Sequence, residues 1–157
     1  MRTSKIGRVL LKEELPIALS ASLLSAVADR FGLWGAPGQP TVAWGSFSKF
    51  LTYTAVLNPW CPVSLIPILG WFVSIAETLL GIGLLVGFRL RLVTQLTSVM
   101  IMLFALAMTF NLGVHAPLNY SVFVCSAATF LLSAVAEIDS EQHKNMFHPE
   151  KRNDETF

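Results

Sequence analysis

The sequence predicts an all-α fold: a polytopic membrane four-helix bundle with an additional amphipathic interfacial helix in the first outer loop. Three observations lead there. Four long apolar stretches punctuate the chain, at residues 15–34, 63–86, 92–112 and 117–135. Each has about the 17–25 residues that a helix needs to cross a bilayer core. Charged residues make up only 13% of the 157 residues and apolar ones 54%, with a mean hydropathy of +0.60; a soluble domain carries about 25% charged residues. The basic residues also fall on one side. Threading the stretches as spans puts Arg2, Lys5, Arg8, Lys12, Arg89, Arg91, Lys144, Lys151 and Arg152 on one face and only Arg30 and Lys49 on the other. That positive-inside bias predicts a multi-pass protein of a bacterial inner (plasma) membrane with both termini cytoplasmic.

Residues 1–14 read as a cytoplasmic lead-in, 15–136 as the transmembrane domain and 137–157 as a flexible, cytoplasmic polar tail. Basic residues before an apolar run also raise the possibility of a signal peptide, but the run is long and lacks a small-residue cleavage site. Pro16 suits the first turn of the first helix, and the Gly35-Ala36-Pro37-Gly38 run breaks it. Over 42–58, Phe47, Phe50, Leu51 and Leu57 recur at helical spacing with polar residues elsewhere on the wheel, which predicts the short interfacial helix. Asn58-Pro59-Trp60-Cys61-Pro62 turns the chain into the second span. Trp34, Trp44, Trp60 and Trp71 all fall near the outer boundary, as an aromatic belt requires. Gly83 and Gly87 form a GxxxG spacing that would let another helix approach closely. Met100, Met102 and Met108 of the third span read as packing.

Glu77 is the foremost candidate for chemistry. It lies twelve residues from Arg89, roughly 18 Å along a helix axis. A carboxylate at that depth must face the bundle, be protonated or be paired. Asp29 and Arg30 come next. Adjacent helical positions point about 100° apart, so the two do not pair on one face. Arg30 could meet Glu77 through a water or ligand; alternatively both snorkel to the outer headgroups. Asn119 and Tyr120, where the fourth stretch opens, complete the candidate ligand-binding set. Cys61 at the outer mouth of the second span and Cys125, deeper in apolar surroundings, differ in depth and read as two free thiols. His115 stands alone at the outer rim, and His143 and His148 are five apart in the tail, so neither haem nor metal ligation is expected. No basic patch interleaved with aromatics suggests nucleic acid.

Arg30-Phe31-Gly32 closing the first span, the amphipathic segment 44–57 and the run Glu77-Thr78-Leu79-Leu80-Gly81-Ile82-Gly83-Leu84-Leu85-Val86-Gly87-Phe88-Arg89 resemble the DoxX family. So does the four-span layout with a long outer loop between the first two spans. The resemblance covers roughly residues 10–136. It implies a redox-complex subunit that binds a quinone or similar apolar ligand, with Glu77 bonding or protonating a quinone oxygen and Arg30 with Asp29 shaping the outer mouth. Besides the lipid bilayer, the implied partners are a redox subunit or further copies of the chain. The family supplies no catalytic triad to carry across, so catalytic residues stay unassigned. The alternative is a non-enzymatic subunit that binds, transports or assembles, holding a lipid or a partner protein through the same groove; the lack of a thiol pair, haem ligands and a nucleotide motif favours it, and Glu77 is neutral between the two.

Overall fold

The computed structural model describes residues 13–147, with side-chain environments through residue 138. Six α-helices follow in order: α1 (Leu15–Arg30), α2 (Phe47–Leu57), α3 (Ile66–Val86), α4 (Leu90–Leu112), α5 (His115–Asn119) and α6 (Val122–Phe147). A 3-10 turn at Val63–Leu65 leads into α3, and no strand occurs among the described residues. The two largest helix interfaces are α4 with α6 and α1 with α3; α3 joins the pairs through α4, and α2 lies across α3, α4 and α1.

The ends of the predicted stretches shift for identifiable reasons. α1 stops at Arg30, short of Trp34, because Gly32 takes a left-handed φ of 74°. The Leu33 N–H then bonds the Ala28 carbonyl and the Gly32 N–H the Asp29 carbonyl, a Schellman closure. Gly87 does the same for α3: its φ is 70°, and the Phe88 and Gly87 N–H groups bond the Gly83 and Leu84 carbonyls. Gly87 is therefore a helix cap, and the GxxxG expectation fails there, since nothing lies within 4 Å of where its Cβ would be. At Gly83 another helix does come close, with Val93 of α4 3.2 Å from where a Cβ would be, and α1 approaches at Gly81. A Cβ there would stand 2.9 Å from Leu24, and the Gly81 carbonyl accepts a 2.8 Å bond from Ser20 Oγ.

The fourth stretch also divides. α5 covers its first residues, Ser121 takes a φ of 55°, and α6 starts at Val122. α6 then continues unbroken to Phe147, so the first half of the expected flexible tail is helix. The expected lead-in at 1–12 and the tail at 148–157 lie outside the described residues.

Burial is inverted relative to a soluble domain. Among the described residues, twelve polar or charged side chains are buried against ten apolar ones. The hydroxyls among them bond inward. Thr54, Thr94, Thr97 and Thr129 each donate to the carbonyl one turn back, at 2.7–2.9 Å. Ser98 and Ser126 donate to each other's backbone carbonyls across the α4–α6 seam at 2.9 and 3.0 Å. Outside, Ile68, Phe72, Ile75, Leu79, Ile82 and Val86 form a continuous stripe along α3 at helical spacing, each 48–72% exposed. Two helical segments, Val63–Val86 and Leu90–Leu112, are long and apolar enough to cross a bilayer, and only 28% and 39% of their apolar windows are buried. α1 has 16 residues, and the apolar part of α6, Val122–Ile138, is shorter than the other two.

Candidate ligand site around Arg30 and Glu77

The Schellman closure fixes the last turn of α1, and with it the directions of Asp29 and Arg30. The chain after it doubles back tightly. A Cβ at Gly32 would come 3.0 Å from the Gly45 carbonyl, and one at Gly45 would come 2.5 Å from the Pro37 nitrogen. The fold of residues 31–46 thus needs glycine at both positions. Asp29 Oδ2 latches this loop by accepting the Trp44 N–H at 2.8 Å. The latch sets Trp44 beside Arg30, with the guanidinium carbon 5.4 Å from its ring centre.

α2 begins at once, capped by Ser46, whose Oγ accepts the Lys49 N–H. Its first turns bring Phe50 over Arg30, 3.9 Å from guanidinium carbon to ring centre. Cation–π contacts of this kind gain strength when desolvated. Trp44 packs edge-on against Phe50, and Phe47 packs against Phe50, Phe31 and Trp71. A continuous aromatic layer therefore roofs the end of α1. α2 is seated by Gly70 of α3, where a Cβ would overlap Leu51.

Beneath this roof, Arg30 is 2% exposed, Glu77 3% and Asp29 5%. Arg30 Nη1 stands 2.5 Å from Glu77 Oε2 and donates to Ser74 Oγ at 3.0 Å. Ser74 and Glu77 share a face of α3 because they are three apart. The approach to Glu77 is a charge contact without hydrogen-bond alignment. Among the described residues three buried atoms have no hydrogen-bond partner: Asp29 Oδ1, Arg30 Nε and Glu77 Oε2. The site thus holds one unused N–H donor and one unused carboxylate oxygen next to aromatic rings, with Glu77 Oε2 engaged only by the Arg30 charge. Such orphaned groups cost about 1–3 kcal/mol each, more when charged.

The candidate residues divide clearly. Glu77, Arg30 and Asp29 come together. Arg30 meets Glu77 directly, with nothing between, and neither Asp29 nor Arg30 turns outward to snorkel, since both are buried and engaged. Asn119 is exposed at the end of α5, and Tyr120 is 74% exposed, so neither belongs to the buried cluster. Tyr120 acts instead on Tyr53, whose phenol is raised above its ordinary 10.0 first by burial and then by Tyr120. Both cysteines are free; Cys61 is half-buried, and Cys125 is exposed on the outside of α6 rather than enclosed. Trp34 and Trp60 face outward as an aromatic belt would, but Trp44 is turned toward Arg30.

Sequence reasoning missed Ser74, Trp44 and Phe50 as members of the site. The three-residue step from Ser74 to Glu77 was a readable signal. Nothing local in the sequence places Trp44 or Phe50 against Arg30, because a loop and a helix start bring them there. No protein-family model, curated protein or solved structure matches the chain.

Proposed function

We propose that the chain is a four-span inner-membrane protein of the DoxX kind, and that the Arg30–Glu77 cluster holds the polar head of a quinone or similar ring-bearing apolar ligand as part of a redox complex. The inverted burial supports the membrane reading: polar groups inside satisfy one another while large apolar side chains face out, as lipid favours. α1 and the apolar part of α6 lie at the short end of the spanning range, which tilt and local bilayer thinning accommodate. The bias of basic residues to one side supports cytoplasmic termini. An alkaline phosphatase fused to the C-terminus should then be inactive and a fluorescent protein bright; the reverse pair would overturn the topology.

The observation that carries the ligand reading is the pair of buried atoms that engage nothing, Asp29 Oδ1 and Arg30 Nε, beside a Glu77 carboxylate that meets only the Arg30 charge. Arg30 Nε can donate to a ring carbonyl, and Asp29 Oδ1 can accept from a ring hydroxyl. Phe50 and Trp44 supply faces for the ring itself. A quinone and its reduced form present both kinds of group. The test is to purify the protein in mild detergent, extract it with organic solvent and identify quinones by mass spectrometry. The parent should carry a near-stoichiometric quinone, and Glu77→Leu should lose it. Equal quinone in both preparations, or none in either, refutes the ligand.

A second reading is a non-enzymatic subunit that binds, transports or assembles. The direct contact between Arg30 and Glu77 favours it, because the pair itself occupies the ground between the two side chains. A stably co-purifying partner protein or lipid in place of quinone would select it.

A further inference from the structure

Asp29 has one oxygen in use and one left over. Its Oδ2 accepts the Trp44 N–H at 2.8 Å, which fixes the carboxylate against the loop. Its Oδ1 is buried and has no hydrogen-bond partner. The next residue, Arg30, holds Ser74 and Glu77 through Nη1 and leaves Nε without one. Both side chains flank Trp44, Asp29 at its N–H and Arg30 at its ring, 5.4 Å from guanidinium carbon to ring centre. Both residues are buried, so bulk water meets neither atom.

The two unmet atoms are of opposite kinds. Arg30 Nε carries an N–H and can only donate, and a carboxylate oxygen can only accept. A ligand that completes the site must therefore bring an acceptor and a donor together. A quinone brings carbonyl oxygens and no donor. It satisfies Arg30 Nε and leaves Asp29 Oδ1 unmet. A hydroquinone is the same ring with two more electrons and two more protons. Each of its hydroxyls both donates and accepts, so it satisfies both atoms, through one oxygen or two. The make-up of the cluster points the same way. Asp29, Arg30 and Glu77 are two carboxylates and one guanidinium, so a donor is what the site is short of.

We propose, on the ring-ligand reading of the Arg30–Glu77 cluster, that the site selects the reduced form of its ligand, a hydroquinone or similar phenol, and that Asp29 is the residue that makes the choice. The quinone complex leaves one buried acceptor unmet, which is worth about tenfold in affinity. A preference of that size raises the midpoint potential of the bound two-electron couple by about 30 mV.

Isothermal titration calorimetry of the purified full chain tests it, in mild detergent, stripped of bound quinone and kept anaerobic. The probes are tetramethylhydroquinone, tetramethylbenzoquinone and the dimethyl ether of the hydroquinone, which keeps the ring and lacks the donor. Each affinity is corrected for the probe's partition into empty micelles. The parent should bind the hydroquinone about tenfold more tightly than the quinone or the ether. Asp29→Asn should cancel or invert that preference. The amide oxygen must stay with the Trp44 N–H, which puts the amide NH2 where Oδ1 was, a donor turned toward a quinone carbonyl. A purely structural role for Asp29 would instead weaken all three probes alike and leave the preference standing. Should the variant misfold by circular dichroism, the ether decides the matter on the parent alone. Hydroquinone bound no better than quinone or ether overturns the proposal, and so does a preference that Asp29→Asn leaves unchanged. Equal binding of all three probes sinks only the choice of redox state, whereas binding of none sinks the ring-ligand reading itself.

Discussion

The two helix pairs of this protein bury polar groups in opposite ways. In the α4–α6 pair the buried groups are neutral, and each hydroxyl finds a carbonyl close by, on its own helix or directly across the seam. The α1–α3 pair has one such neutral bond, from Ser20 to the Gly81 carbonyl, but its other end is charged: Asp29, Arg30 and Glu77 come from distant parts of the chain, and three of their atoms lack a hydrogen bond. A neutral seam is complete as it stands and needs no further ligand to explain it. A charged cluster with spare donors and acceptors is incomplete, because buried polar atoms without partners cost free energy until something meets them. The contrast separates the part of the molecule that holds the bundle together from the part that has something left to bind.

The comparison breaks most visibly at Glu77. Glu77→Leu leaves the Arg30 guanidinium buried without its counter-charge, which should cost about 3–5 kcal/mol. Glu77→Gln also removes the counter-charge but keeps the shape and an oxygen dipole facing the guanidinium, so it should be the milder of the two. Thermal denaturation in detergent ranks the two; equal melting temperatures for both variants and the parent would mean that the pair has no structural weight. Combining Glu77→Leu with Arg30→Met should recover most of the loss, because a buried ion pair replaced whole by apolar groups is often neutral or better. A double variant as unstable as Glu77→Leu alone would show that the remaining members, Asp29 and Ser74, also need the charges.

On the neutral side the effects should be smaller. Ser126→Ala removes one of the two reciprocal bonds, and such contacts within membrane bundles average about 0.6 kcal/mol. A loss as large as that of Glu77→Leu would erase the distinction between the halves. The smallest effect concerns pH. Burial, and secondarily Tyr120, raises the Tyr53 phenol above 10.0, so folding favours its neutral form. Its contribution to stability is therefore complete below pH 10.0 and is lost only as pH climbs through the raised value. Ultraviolet phenolate absorbance of the parent, minus that of Tyr53→Phe, should show a tyrosine ionising later than a free one. Ionisation at or below the ordinary value would mean that Tyr53 is open to water.

Helix content and the position of the second and third stretches were legible, because 20-residue apolar runs bounded by Gly and Pro leave few alternatives. The ends were not, where backbone geometry decided them: the Gly32 closure shortened α1, and the left-handed Ser121 split the fourth stretch. Glu77, Arg30 and Asp29 could be read as site residues because charge within an apolar run needs an explanation. That Arg30 would touch Glu77 directly was not legible, since it depends on how α1 and α3 pack at Gly81. Asn119 and Tyr120 suggested themselves only as polar residues opening a span, which says nothing about the face they take.

The Arg30–Glu77 contact also imposes a schedule on biosynthesis. Glu77 follows Arg30 by 77 − 30 = 47 residues. At about 5–20 residues per second of synthesis, that is roughly 2–9 s during which the first helix has left the ribosome and its arginine has no partner across the bundle. Asp29 is beside it but points about 100° away around the helix. On the four-span reading, α1 would gain by keeping this end near water until α3 arrives, and would sink to its final depth only as the pair forms. The α4–α6 seam would have no such interval, because its serines carry no charge and could enter a bilayer singly. Insertion of the N-terminal half would then be a two-helix event, whereas the C-terminal half could be laid down one helix at a time.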